Sequence, residues 1–288
     1  MSKTSPLVLQ SDFGYDDGAV SAMYGVAACV SDELRIHDVT HNIPPYDIWE
    51  GSYRLAQTVN YWPQGSVFVS VVDPGVGSDR LSVVARTNSG HYVVTPNNGT
   101  LTHLHRLFGV AELREIDESV NRLPGSGESY TFHGRDIYAY TGARLAAGVI
   151  DYCEVGPLLP LETLEQLPVV EPHIADGAVH GTVDALDIRY GSLWTSIPRE
   201  TFLQLGCKHG DRVRVAITHQ SRITHVSQLV YATSFAAVEV GESLLYVNSL
   251  DRMALAINRG SYARAFNIST GTDWCITLTP LLSERTPS

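Results

Sequence analysis

Four short segments of this 288-residue chain each end an apolar run in groups able to do chemistry. They are Ser11-Asp12-Phe13-Gly14, Asp73-Pro74-Gly75-Val76-Gly77, Thr95-Pro96-Asn97-Asn98-Gly99 and Thr131-Phe132-His133-Gly134-Arg135-Asp136. Their glycines permit tight turns and close approach of a ligand to the backbone. Carboxylates and imidazoles can hold a water and take its proton. The same groups ligate metals, so one reading is a metal-dependent hydrolase built from Asp12, Asp73 and His133 with His41. Such sites show several carboxylates and histidines converging at ligand spacing. Here they come with an arginine, whose fixed positive charge opposes a divalent cation. Taken singly, each segment also has an ordinary structural explanation: Asp-Pro-Gly is a common turn, and Asp12 or Asp136 can cap a helix.

These groups need elements to hold them. Residues 7–9 form an apolar run that stops at Ser11-Asp12, the pattern of a buried strand whose carboxyl end carries polar groups. Asp16-Asp17-Gly18 precedes a helix reaching Val30, a second strand follows over 34–39, and a second helix over 47–58. The Val-rich run 67–72 reads as a strand buried on both faces. Strands over 81–85 and 92–95 and a helix over 136–147 complete an alternation that points to an α/β domain with a mostly parallel central sheet. Ligands of such sheets bind beyond the carboxyl ends of the strands, where the four segments fall. Residues 156–172 contain four prolines and read as a linker. Beyond it, strand-like runs recur at 180–186, 212–217, 244–247 and 274–278 with little helix between. The expected organisation is an N-terminal α/β domain with its linker over 1–172 and a smaller β-rich, antiparallel, barrel-like domain over 173–288.

Together the segments resemble a family. SDFGYDD, HDVTHNIPPYDIWEG, GSVFVSVVDPGVGSDR, PNNGTLT and TFHGRDIYA occur here in the order seen in the S-adenosylmethionine hydroxide adenosyltransferases, relatives of fluorinating and chlorinating enzymes. The resemblance continues, more weakly, through ALDIRYGSLWTSI and LLYVNSL. It implies hydrolysis of S-adenosylmethionine to adenosine and methionine without a metal or other cofactor. It also implies a homotrimer whose active sites lie between one subunit's N-terminal domain and its neighbour's C-terminal domain. Asp73, Arg80 and His133 match the family's Asp, Arg, His triad. A carboxylate and an imidazole can hold the water and accept its proton, either being able to take it, while Arg80 favours hydroxide character. The alternative for Asp73 and Arg80 is a structural salt bridge.

Substrate-binding positions carry over by the same resemblance. Asp12 matches the aspartate that accepts from both ribose hydroxyls, and Asp16 and Asp187 lie at positions near the methionine ammonium. Tyr46, Phe132, Tyr190 and Phe235 match aromatic positions around the nucleoside. Gly134 matches a halide-contacting position that is glycine in chlorinating members too. Halogenases carry an aromatic residue where Asp73 stands, so Asp73 speaks for water. Ser192 replaces an asparagine at the adenine edge. Leu250, after Ser249, replaces an arginine near the methionine carboxylate, a loss that Arg252 is placed to offset. Two other functions stay open: a chlorinase-like halogenase, and a non-catalytic sensor of S-adenosylmethionine or adenosine.

Composition narrows the field. A net charge of −11 without a Lys/Arg cluster argues against nucleic acid. Cys29, Cys153, Cys207 and Cys275 lie far apart with no CxxC pair, as expected of isolated thiols in a reducing compartment. No basic-then-apolar leader precedes the first strand, and no apolar run approaches the ~18 residues of a membrane span. A cytoplasmic protein is expected.

Overall fold

A computed structural model describes residues 4–281, which fall into two compact units meeting at Leu167/Pro168. The N-terminal unit is a seven-stranded sheet of β1 (Leu7–Ser11), β2 (Ile36–Thr40), β3 (Val67–Val71), β4 (Ser82–Thr87), β5 (Tyr92–Pro96), β6 (Val110–Glu115) and β7 (Leu158–Leu159), in the order β2-β1-β3-β5-β4-β6-β7. The β2-β1-β3-β5 half is parallel. Alternation along each strand feeds two cores. Leu7, Leu9, Val67, Val69 and Val71 pack toward Met23 and Ala27 of α1 (Ala19–Val30) and toward residues 137–146. Val8 and Phe68 face Leu55 and Ala56 of α2 (Ile48–Thr58) and Leu104 of α3 (Thr102–Phe108). Strands sandwiched this way are apolar on both faces, which is why 67–72 reads as a continuous run.

Two features depart from the sequence pattern. β4 runs antiparallel to both its neighbours, β5 and β6. The link from Thr87 to Tyr92 is too short for a crossover, so it can close only a hairpin. The expected helix over 136–147 opens instead with a π-helical turn, Gly134–Ala139, before α5 (Tyr140–Ala146). Wide turns of this kind recur at functional sites. The proline-rich stretch is pinned to the N-terminal unit over its first part. β7 pairs with β6, and beyond it Asn97 bonds the Thr163 carbonyl and the Glu165 amide at 2.8 and 3.0 Å.

The C-terminal unit comprises β8 (His173–Ala175), β9 (Ala178–Leu186), β10 (Leu193–Pro198), β11 (Arg212–His219), β12 (Arg222–Tyr231), β13 (Ser243–Val247), β14 (Arg252–Ile257) and β15 (Gly271–Leu281). Pairing of β10 with β9 closes β9–β15 into a seven-stranded barrel, with β8 appended to β9. All pairings are antiparallel except β12 with β13. Closure leaves no open edge in the barrel wall and encloses a core of Val183, Leu193, Val215, Leu245 and Leu255.

Candidate active site

β3 delivers Asp73 just past its carboxyl end. Because β4 is antiparallel, its first residues lie at that same edge of the sheet, and Arg80 precedes them. The loop therefore doubles back, with Gly77 at φ 80°, and sets guanidinium on carboxylate. Arg80 Nε donates to Asp73 Oδ1 at 2.6 Å, and Arg80 Nη2 donates to Oδ2. This two-pronged pair is largely removed from solvent, with side chains 11% and 5% exposed. Asn98 Nδ2 donates to the Val72 carbonyl at 2.9 Å, fixing the residue before Asp73. The Arg80 guanidinium also lies 5.7 Å above the Tyr138 ring. Burial pushes the Tyr138 phenol upward, so it stays protonated beside Ser82.

His133 enters from the residue before the π-helical turn and is buried. Its Nδ1 stands 3.4 Å from Arg80 Nη2, and its Nε2 stands 3.3 Å from Arg122 Nη2. Burial, then the charges of Arg80 and Arg122, push the imidazole below its ordinary range against a smaller opposing pull from Glu118 and Asp73. Arg122 is itself held by Glu118 Oε2 at 2.9 Å.

Beside this cluster lies a cavity of about 240 Å³ whose walls include Asp12, Phe13, Tyr46, Val71, Asp73 and Phe132. Asp12 Oδ2 accepts from the Tyr46 amide at 2.8 Å. Tyr46 adopts a left-handed φ of 69° and is 72% exposed. Phe13 and Phe132 meet edge to face at 5.6 Å. Gly134 packs beneath them: a Cβ there would come within 2.7 Å of Phe13 Cζ. Asp16 is exposed on the loop before α1 and is not part of the cavity wall.

His41 does not join this group. Its Nδ1 lies 2.6 Å from Ser11 Oγ and its Nε2 3.1 Å from Asp38 Oδ1, while Asp38 also accepts from Tyr15 and Tyr24. The Ser11–His41 end of this chain of bonds is buried, its Asp38 end is open to solvent, and together they tie β1 to β2. Both nitrogens are committed, which takes away the histidine that the metal-hydrolase alternative required. Among the described residues no three His, Cys, Asp or Glu side chains converge as a metal site.

In the C-terminal unit, Tyr190, Ser192 and Phe235 line a second cavity of about 460 Å³ together with Arg189, Asn258, Arg259 and Arg264. Tyr190 is 69% and Phe235 39% exposed. Asp187 accepts from the amides of Arg189 and Tyr190 at 3.2 Å, so its carboxylate braces the β9–β10 turn. Ser249 is exposed and not part of that cavity wall, and Arg252 donates to the Ser196 carbonyl at 3.1 Å.

Residues 7–156 match the SAM hydroxide adenosyltransferase N-terminal domain, and residues 181–275 match the C-terminal domain of the same name. The chain belongs to the SAM hydroxide adenosyltransferase family. It is 34% identical to an (R)-S-adenosyl-L-methionine hydrolase of Salinispora tropica, covering 94% of this chain and 97% of that one. It is 28% identical to a fluorinase of Actinopolyspora mzabensis, covering 94% and 96%. A crystal structure of an uncharacterized conserved protein from Thermotoga maritima superposes with a TM-score of 0.86 at 31% identity, covering 95% and 99%.

For this member of the hydroxide adenosyltransferases, Asp12, Tyr46, Asp73, Arg80, Phe132, His133 and Gly134 come together in one unit, and Tyr190, Ser192 and Phe235 in the other. Asp16, Asp187 and Ser249 stand apart from both cavity walls. Sequence reasoning missed Arg122, Glu118, Tyr138 and Asn98. Arg122 lies in an unremarkable NRLPG stretch, and only the fold carries it to His133. Asn98 stood in a quoted motif, but nothing in PNNG tells which backbone carbonyl its amide will find.

Proposed function

We propose that the protein hydrolyses S-adenosyl-L-methionine by attack of water at C5′, giving adenosine and L-methionine. The observation that carries this reading is Asp73, a carboxylate gripped by Arg80 on the wall of the cavity that also holds Asp12. The sulfonium is already an excellent leaving group and needs no acid. What the reaction lacks is an oxygen aligned opposite sulfur. Asp73 and His133 hold that water, and Arg80 favours its hydroxide character. A carboxylate suits a nucleophile that arrives with protons. It would repel a halide by several kcal/mol at low dielectric, which weighs against fluorinase-like chemistry. It also weighs against a pure sensor, since binding alone requires no water-activating group.

Asp12 accepts from the ribose hydroxyls in this reading, as a carboxylate with two acceptor oxygens can. Tyr46 and Phe132 flank the nucleoside from one side, and Tyr190, Ser192 and Phe235 from the other. Gly134 leaves room beside the nucleophile, while Asp16, Asp187 and Ser249 meet the methionine end. The hydrolase relative is named for the (R) configuration at sulfur, a preference we extend to this chain. The reaction proceeds without metal or cofactor. A cavity of about 240 Å³ falls short of the roughly 300–1,000 Å³ usual for small-molecule sites, which supports a site completed by another chain. We therefore propose a homotrimer in which each N-terminal unit is met by a neighbour's C-terminal unit. Free thiols at Cys29, Cys153 and Cys275 suit the reducing cytoplasm, and no described helix is long and apolar enough to cross a membrane.

The test is incubation with S-adenosylmethionine, with and without chloride and a chelator, followed by chromatography. Adenosine and methionine should appear in equal amounts under every condition. A chlorinated nucleoside, or activity abolished by chelator and restored by a divalent metal, would overturn the reading.

A further inference from the structure

His41 lines neither cavity, yet its bonds run into the loop that supplies Asp12 and Phe13 to one of them. β1 ends at Ser11, and beyond that residue no strand pairing holds the chain. Three bonds hold the loop instead. The Gly14 amide donates to the His41 carbonyl at 2.7 Å, the Tyr46 amide to Asp12 Oδ2 at 2.8 Å, and the Phe13 amide to Ser11 Oγ at 3.2 Å. The last is a local side-chain turn, which needs the serine hydroxyl held toward its own chain ahead. Ser11 Oγ lies 2.6 Å from His41 Nδ1, so the imidazole sets that orientation.

The partners of the ring fix which way each bond runs. Nε2 faces Asp38 Oδ1 at 3.1 Å, and a carboxylate only accepts, so Nε2 carries the proton. Nδ1 of the neutral ring is then a lone pair that takes the Ser11 hydroxyl hydrogen. An imidazolium would aim a second N–H at Oγ and strand that hydrogen, because Ser11 is fully buried and among the described residues Oγ has no other acceptor. Burial also pushes the His41 imidazole below its ordinary range, against the pull of Asp38. We propose that His41 is a positioning residue for nucleoside binding: by accepting the Ser11 hydroxyl hydrogen it aims Oγ at the Phe13 amide, and so fixes the loop that sets Asp12 and Phe13 in the cavity wall. Serine, histidine and aspartate in series also activate nucleophiles, but a fully buried Ser11 meets no substrate, and its bond serves geometry.

What Asp12 meets is taken from the proposed function, whereas the loop bond can be tested without it. The experiment compares wild type, His41→Gln, His41→Asn, Ser11→Ala and the double variant Ser11→Ala/His41→Gln. Each is measured by amide hydrogen exchange at Phe13, calorimetry with adenosine and steady-state kinetics, after thermal unfolding has shown that it folds. Gln reaches Asp38 in place of Nε2 and offers Ser11 nothing. Asn places an acceptor oxygen where Nδ1 stands and leaves Asp38 to the hydroxyls of Tyr15 and Tyr24. His41→Gln and Ser11→Ala should each speed Phe13 exchange and raise both the adenosine Kd and the KM about tenfold, the worth of one hydrogen bond, with a smaller change in kcat. The double variant should be no worse than either single one, because both break the same contact. His41→Asn should keep most of the wild-type protection and affinity. Should His41→Gln not fold, Ser11→Ala and His41→Asn carry the same contrast. Losses that add in the double variant, Phe13 exchange unchanged in His41→Gln, or His41→Asn as impaired as Ser11→Ala would overturn the proposal. If wild type neither binds nor releases adenosine, the proposed function falls, while Phe13 exchange still decides whether His41 holds the loop.

Discussion

At the scale of single residues, binding and chemistry should separate. Asp73 and His133 act on the water in this account, so Asp73→Asn and His133→Ala should lower kcat by about 100- to 10,000-fold with nearly unchanged substrate affinity. Asp12→Asn should instead weaken affinity, because ribose contacts persist from ground state to transition state. Stopped assays for kcat, with affinity measured by calorimetry, distinguish the two behaviours. Arg80→Ala carries a second consequence. Asp73, with its side chain 5% exposed, would lose its partner, and an unpaired buried charge costs about 3–5 kcal/mol. That variant should therefore melt early as well as turn over slowly, and thermal unfolding should be measured before its kinetics are interpreted. The family resemblance pointed to Asp73, Arg80 and His133, which their turn composition alone did not single out, and the fold brings the three together. The resemblance could not reach Arg122, which only the fold brings to His133, or the committed bonds of His41 and Asp187.

At the scale of elements, the site depends on how closely β1, β3 and the π-helical turn approach. Gly134 is the tightest point, since an added Cβ would meet Phe13 Cζ at 2.7 Å and Cε2 at 2.9 Å. Gly134→Ala should push the Phe13 ring against Phe132, destabilise the fold by about 1–3 kcal/mol and weaken substrate binding. Chemical denaturation and calorimetry check both effects; a variant of wild-type stability and affinity would show that the Phe13 ring moves aside freely. Sequence pattern found the elements that are apolar on both faces, such as β1 and β3, because burial leaves a continuous run. It missed β6, β10 and β12, where polar residues interrupt the run and pairing with neighbours makes the strand, and β14, whose short apolar run MALAI follows directly on a turn. β12 shows why: RITHVSQLVY is largely exposed along its first half and is held by β11 rather than by burial. The orientation of β4 was hidden for another reason, since strand residues look alike in either direction and only the short link to β5 decides.

At the scale of the whole molecule, acid should destabilise the protein. His103, His41, His133 and His225 are all held below the usual histidine range, each mainly by burial, and His103 is pushed down to about 4. Such a group stays neutral in the folded chain but takes a proton in the unfolded one below about pH 6.5, so unfolding gains protons as pH falls. Stability should be full above that pH and decline below it, with His103 alone contributing a loss of about 3 kcal/mol by pH 4. Denaturation midpoints from pH 8 to 4 test this, and replacing His103 by Gln should flatten the acid side. Assembly has its own test. Co-expression of an Asp73→Asn chain with a Tyr190→Ala/Phe235→Ala chain should recover part of the lost activity if sites are shared between subunits, and a fully active monomer would rule sharing out. The central claim, water delivered to C5′ beside Asp73, is tested most directly by turnover of S-adenosylmethionine in ¹⁸O-labelled water with mass spectrometry of the products. One ¹⁸O per adenosine is expected, at the 5′-oxygen, and none in methionine. Unlabelled adenosine, or label in the methionine product, would contradict it.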